Sequence, residues 1–273
     1  MRIKCEICPH GCEIEEGEIG FCRARGNADG KIACLNYGRI TSLNLDPIEK
    51  KPLKNFYSGS LILSAGSYGC NMRCGFCQNH EISVANSFPR TSYVSPEQLV
   101  AAAKELVPEG NIGVAFTYNE PLISYEYITD CARLLRSESL QTVLVTNGLI
   151  NEKPLLELLP FIDALNIDLK CFTEEFYREL KGDLSTVKRT VEHASRHCHI
   201  EVTTLIIPDK NDSREEISAL SEWLAGINPE IPLHLSRFFP RYKYNGEATD
   251  ITKLLELCEV ARTHLKTVHA GNI

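Results

Sequence analysis

Apolar positions change their period along this chain. From about residue 60 onward, short runs of branched and aliphatic residues alternate with stretches where apolar side chains recur every three or four positions. The first kind reads as buried strands and the second as amphipathic helices. Strands are expected at 61–65, 111–116, 142–146, 164–169, 199–206 and 232–235. Helices fit between them at 123–136, 153–159, 174–197 with a break near Gly182, 213–227 and 251–265, the last with Leu254, Leu255, Cys258 and Ala261 on one face. Another helix begins at Ser95. Ser at the N-cap, Pro96 and Gln98 form a capping box, and Leu99, Val100, Ala103, Leu106 and Val107 follow with helical spacing.

Strand–helix alternation places the chain in the α/β class, with a parallel sheet and helices outside it. A complete eight-unit barrel takes about 250 residues, more than this region offers, and about six units are countable. The expectation is therefore a partial (β/α)6 TIM-type barrel over residues 56–273. Residues 1–55 follow another pattern. Gly11, Gly17, Gly20, Gly26 and Gly30 cut the segment into turns, with short strands expected at 32–37 and 40–45. It holds too few apolar residues for a core of its own, so a bound metal is expected to supply what burial does not.

Composition narrows the class. Lys plus Arg total 29 and Asp plus Glu 36 in 273 residues, a formal charge of −7, which argues against a dedicated nucleic-acid binder. No apolar run approaches the roughly 20 residues of a membrane helix. No apolar signal region follows residues 1–5, so a cytoplasmic protein without a membrane partner is expected. The 12 cysteines are the abnormal count. In a reducing compartment they are not a disulfide framework. Cys5, Cys8, Cys12, Cys22, Cys34, Cys70, Cys74 and Cys77 cluster at the front, as metal ligands do. Cys131 and Cys258 fall on apolar helix faces and read as core. Cys198 stays unassigned.

The sharpest motif is Gly69-Cys70-Asn71-Met72-Arg73-Cys74-Gly75-Phe76-Cys77-Gln78-Asn79, with spacing C-x3-C-x2-C directly after the first barrel strand. A structural zinc site wants four protein ligands. Three thiolates leave one metal position open; they can also hold three irons of a [4Fe–4S] cube, leaving the fourth iron for a non-protein ligand, and a zinc knuckle with a distant fourth ligand is the alternative reading. The end of a barrel strand is where such chemistry is expected.

This triad resembles the signature of the radical S-adenosylmethionine (SAM) superfamily. The resemblance implies that Cys70, Cys74 and Cys77 are catalytic metal ligands and that SAM chelates the open iron. It further implies reductive cleavage of SAM to a 5′-deoxyadenosyl radical that abstracts hydrogen from a substrate, with a one-electron donor such as ferredoxin or flavodoxin. Phe76 matches the aromatic position near the adenine. Asn119-Glu120-Pro121 resembles the motif that receives the methionine amino group, with a helix-initiating turn as the alternative reading. Asn147, in Thr146-Asn147-Gly148 at the end of the third strand, is a candidate cofactor contact, with a strand-ending turn as the alternative reading. Asp168-Leu169-Lys170 resembles the motif of glycyl-radical activating enzymes that contacts SAM, with a plain Asp–Lys surface pair as the alternative, and His234 sits where those enzymes place a SAM-contacting histidine, with a satisfied structural histidine as the alternative reading. Cys171, after Lys170, is either a small buried hydrophobe or a residue facing the site.

Cys5-x2-Cys8-x3-Cys12-x9-Cys22 supplies four thiolates in one short segment, suited to a second metal, either zinc or an iron–sulfur cluster. Cys34 and His10 are further ligand candidates. Together with Cys8-Pro9-His10, Gly20-Phe21-Cys22-Arg23 and Asp46-Pro47-Ile48-Glu49-Lys50-Lys51-Pro52-Leu53, the chain resembles the pyruvate formate-lyase activating enzyme-like proteins of the AmmeMemoRadiSam system. That resemblance implies AMMECR-like and MEMO-like partners and leaves the substrate open. Family chains commonly continue past the Gly271-Asn272 strand into a cysteine pair that is not seen in this sequence. The basic, aromatic stretch 237–244 either grips a substrate or packs on the barrel rim. Three functions follow: activation of a glycyl-radical enzyme, radical modification of RNA, protein or a small molecule, and non-enzymatic metal binding. The strand-end carboxylates speak against the last.

Overall fold

A computed structural model of the protein describes residues 1–84 and 88–273. Three short antiparallel pairs involve the N-terminal part. β1 (Ile3–Lys4) pairs with β2 (Glu13–Ile14), β3 (Arg25–Ala28) with β4 (Lys31–Cys34), and β5 (Arg39–Ile40) with β8 (Ser92–Tyr93). The expected strand at 40–45 divides, because its second half, β6 (Ser42–Pro47), leaves the hairpins and pairs antiparallel with β7 (Leu61–Gly66).

The large sheet has eight strands in the order β14-β13-β12-β11-β10-β9-β7-β6. Its parallel members are β7, β9 (Asn111–Thr117), β10 (Gln141–Thr146), β11 (Ala164–Asp168), β12 (His199–Ile206), β13 (Leu233–Arg237) and β14 (Val268–Gly271). Six of these carry the expected units. The four-residue strand β14 was not among the strands read from periodicity, because so short a run shows no clear period; the family resemblance alone pointed to a strand at Gly271-Asn272.

Helices fall between the strands. Following the short α1 (His80–Ser83) are α2 (Pro96–Glu105), α3 (Tyr125–Ser137), α4 (Glu152–Leu158), α5 (Glu174–Glu179), α6 (Leu184–Ala194), α7 (Arg214–Ile227) and α8 (Ile251–Arg262). The capping box at Ser95 is formed, with Ser95 N–H donating to Gln98 at 2.8 Å. The break near Gly182 separates α5 from α6, and Asp183 caps α6 by accepting the Thr186 amide at 2.7 Å. In α8, Leu254, Leu257, Cys258 and Ala261 are buried, whereas Leu255 is exposed. At about 100° per residue, Leu255 lies off that stripe, which corrects its expected place. Among the described residues, no helix is long and apolar enough to cross a membrane.

One end of the barrel is plugged. Ile48 and Leu53, both fully buried, pack with Ile62, Ala115, Val143 and Ala164 from four strands. Burying a side chain of this size contributes roughly 1.5–3 kcal/mol. The opposite end, where the parallel strands finish, is left for polar groups.

Candidate active site

The loop after β7 carries the cysteine triad, and its backbone is pinned on both sides. Gly69 has φ +89°, and a Cβ there would lie 2.6 Å from the Cys22 carbonyl, so only glycine fits. The Cys70 amide donates to that same carbonyl at 3.2 Å, and the Arg73 amide donates to Leu180 at 2.8 Å. The Arg73 guanidinium donates to the Cys70, Met72 and Phe21 carbonyls and lies 3.8 Å from the Phe21 ring centroid. Held this way, Cys70, Cys74 and Cys77 line one cavity of about 300 Å³ at the strand ends. The Met72 amide donates to Cys70 Sγ at 3.3 Å. Burial pushes the Cys74 thiol up to about 12, opposed by the Lys170 ammonium.

The same cavity is lined by Phe76, Asn119, Glu120, Asn147, Asp168 and Lys170. Glu120 is buried, and burial raises its carboxyl to about 7 against hydrogen bonds from Thr146, Asn147 and Leu122. It accepts Thr146 Oγ1 at 2.6 Å, the Asn147 amide at 2.8 Å and the Leu122 amide at 2.9 Å. The last bond caps the short 3-10 helix Pro121–Ser124, so the helix-initiating turn is present. A carboxylate has about four acceptor sites, and three are used here. One remains.

Asn147 extends Nδ2 to Asn71 Oδ1 at 3.0 Å and toward Cys70 Sγ at 3.6 Å. Lys170 Nζ meets Asp168 Oδ2 at 2.6 Å. Burial alone would lower the Lys170 ammonium, yet Asp168 and Cys74 hold it raised. Asn119 turns its amide inward, accepting the Ser67 amide at 2.9 Å and donating to Tyr68 and Gly69 carbonyls. Its side chain clamps the β9 end to the cysteine loop. Phe76 lies edge-on to Tyr244 at 5.5 Å between centroids, and the Lys243 amide donates to the Gly75 carbonyl at 2.8 Å. The basic, aromatic stretch therefore packs on the barrel rim over the cysteine loop.

His234 is not brought to the cysteine cavity. Its Nε2 lies 2.5 Å from Glu201 Oε2 and its ring stacks on His269 at 4.9 Å. It lines the neighbouring cavity, of about 800 Å³, with Lys51, Tyr118 and Asn272. Cys171 is fully buried, its thiol donating to the Thr173 carbonyl at 3.4 Å, as a core hydrophobe would. Cys131 and Cys258 are also fully buried.

At the N-terminus, Cys5, Cys8, Cys12 and Cys22 line a single small pocket with His10. His10 Nε2 is engaged by the Asn71 carbonyl at 2.7 Å. Cys34 does not line that pocket and donates to Asn36 Oδ1 at 3.2 Å. All twelve cysteines are free of disulfides.

Two polar groups inside the barrel went unread in the sequence. Glu201 accepts the Lys54 and Asn55 amides and both His199 and His234. Its signal was the alternation of polar residues His199, Glu201 and Thr203 along β12. Lys51, nearly fully buried, pairs with Asp46 at 2.8 Å, and the Tyr118 hydroxyl donates to Asp46 at 2.8 Å. Both partners stood in the 46–53 motif, without a role attached.

Comparison with known proteins agrees with this geometry. A family model described as the radical SAM superfamily matches residues 65–224. Over its whole length the chain is 37% identical to uncharacterized protein MJ0808 of Methanocaldococcus jannaschii, covering 82% of it. It is 24% identical to pyruvate formate-lyase 1-activating enzyme of Escherichia coli strain K12, across 57% of this chain and 65% of that enzyme. A domain of pyruvate-formate lyase-activating enzyme from Bacteroides vulgatus superposes with TM-score 0.51 at 16% identity, over 59% of this chain and 99% of that domain. Streptococcus suis SuiB bound to S-adenosylmethionine superposes with TM-score 0.59 at 16% identity, over 75% of this chain and 48% of SuiB. Such structural likeness at low identity speaks to the fold alone, while the family model spans more than half of the chain: the protein belongs to the radical SAM superfamily.

Proposed function

We propose that the chain is an enzyme whose Cys70, Cys74 and Cys77 hold three irons of a [4Fe–4S] cluster, with SAM on the fourth. The observation that carries this is the convergence of three thiols, Glu120, Asn147, Asp168 and Lys170 on one cavity at the strand ends. The residues fit the group. No fourth cysteine lines that cavity, so one iron stays open to a non-protein ligand. The Met72 amide on Cys70 and the Lys170 ammonium near Cys74 and Cys77 favour thiolates there. When bound, the cluster and SAM supply reductive cleavage to methionine and a 5′-deoxyadenosyl radical that takes a hydrogen atom from the substrate.

The protein's own groups bind and shield. Glu120 uses its remaining acceptor site for the methionine ammonium. Asn147 fixes Cys70 and Glu120 relative to each other through its side chain and backbone. Asp168 and Lys170 anchor the polar parts of SAM, and Phe76, backed by Tyr244, flanks the adenine. His234 serves the barrel interior rather than SAM.

Among substrates, a glycine on a partner glycyl-radical enzyme is favoured. Similarity to pyruvate formate-lyase 1-activating enzyme supports this, as does the Asp168-Leu169-Lys170 motif at the β11 end. The adjoining cavity of about 800 Å³, between Lys51 and Asn272, gives room for a polypeptide loop. The electron comes from a one-electron carrier of the ferredoxin or flavodoxin kind. The test uses a glycyl-radical enzyme deuterated at glycine, mixed with the reduced, iron-loaded protein and SAM. Deuterium is expected in the 5′-deoxyadenosine. SAM cleavage without such transfer would remove the activase assignment and leave the cleavage chemistry standing.

A further inference from the structure

Three neighbouring strands each place one ligand-type side chain on the same face of the large sheet. His234 of β13 and His269 of β14 are register partners. Glu201 of β12 lies two residues before Thr203, the register partner of His234, so alternation along the strand puts it on that face too. Their donor atoms all lie within 4.8 Å of one another, with Glu201 and His234 buried and His269 half-buried. Two imidazoles and one carboxylate form the donor set of three-ligand zinc sites that keep a fourth position open.

The groups behind these donors orient them as a metal's outer shell does. A ligating imidazole usually commits its other ring nitrogen to a fixed acceptor. His269 Nε2 lies 3.0 Å from Asn55 Oδ1, which can only accept, so this nitrogen carries the hydrogen and Nδ1 keeps its lone pair. The carboxylate is gripped in the same way. Glu201 Oε1 accepts the Asn55 amide at 2.7 Å and meets His199 at 3.1 Å, while Oε2 accepts the Lys54 amide at 3.2 Å. One residue, Asn55, thus holds both Glu201 and His269.

We propose that Glu201, His234 and His269 form a binding site for one divalent ion of the zinc class. Tetrahedral zinc spaces its nitrogen and oxygen donors about 3.4 Å apart. The His234–Glu201 separation of 2.5 Å opens by about 0.9 Å as the ion replaces the hydrogen between them. In the ion's absence the hydrogen bonds described above remain. His234 also lines the cavity of about 800 Å³, which gives the ion a route in. Nothing in this site requires that the Cys70 cavity bind SAM.

The test counts metal in the full-length, iron-loaded protein after anaerobic equilibrium dialysis against micromolar zinc chloride. His269→Gln keeps a side chain able to donate to Asn55 but lacks the imidazole ligand. It is expected to hold one zinc per chain fewer than the parent, with iron unchanged as the sign that the chain is folded. Zinc on the N-terminal cysteines would be common to both and cancels. Glu201→Gln is expected to lose the same single equivalent. Dialysis against cobalt chloride identifies the ligands of the missing ion. The parent-minus-His269→Gln spectrum is expected to show weak visible bands without the intense sulfur-to-cobalt absorption of a thiolate site. Equal zinc in the parent and His269→Gln overturns the proposal, and so does a thiolate-type difference spectrum.

Discussion

Glu120 has two duties that one substitution can separate. In Glu120→Gln the shape is kept, but one oxygen becomes an amide NH2. The oxygen facing Thr146 and Leu122 accepts two bonds, at 2.6 and 2.9 Å, so the amide turns its NH2 toward the Asn147 N–H. Two donors then face each other. Losing one hydrogen bond to a charged acceptor costs about 1.5–3 kcal/mol of stability. The ammonium of SAM loses its anionic partner as well, and removing one member of such a buried pair costs roughly 2–5 kcal/mol. At about 1.4 kcal/mol per decade, this predicts SAM affinity weakened by roughly 30-fold or more. Anaerobic calorimetric titration of SAM into the iron-loaded variant reads the second effect, and urea unfolding reads the first. Lowered stability with SAM affinity within about twofold of the parent, far under that decade, would refute the reasoning. Glu120 would then be only the cap of the Pro121–Ser124 turn.

Gly69→Ala is expected to drive the Cys22 carbonyl away from the cysteine loop, at a cost of about 1–3 kcal/mol for the left-handed backbone alone; chemical denaturation and iron retention report it. Leu53→Ala opens the barrel plug and should cost about 2–5 kcal/mol in urea unfolding. Glu201 gives a pH signature. Burial pushes its carboxyl up, but His199, His234 and the Asn55 amide outweigh that and hold it lowered, at about 2. A lowered carboxyl contributes stability that is fully present above the ordinary carboxylate range and lost as pH falls through the folded value. Glu201→Gln should therefore be destabilised at neutral pH and flatten the fall in stability between about pH 4.5 and 2, measured by denaturant unfolding at each pH.

The parallel sheet was legible because its strands are apolar runs set between helices of clear period, and the Ser95 capping box marked α2 directly. The triad was legible because its spacing is local. What escaped depends on contacts distant in sequence. For His234 a structural role stood beside SAM contact, but its partner Glu201, 33 positions away, could not be read from the sequence. β6 leaves the N-terminal segment to join the barrel sheet because β7 offers it an open edge, a choice made by pairing rather than by propensity. Asn119 matched a motif position, yet its amide is consumed by the backbone of residues 67–69. The Cys5–Cys22 group was legible as a cysteine cluster from spacing, while the meeting of all four side chains at one small pocket required three dimensions.

The central claim is that Cys70, Cys74 and Cys77 build the site where SAM is cleaved. Its most direct measurement is formation of 5′-deoxyadenosine by the anaerobically iron-loaded, reduced protein, beside the variant with all three cysteines changed to alanine. The account predicts SAM-dependent 5′-deoxyadenosine from the parent and none above background from the variant. Equal production by both would contradict it.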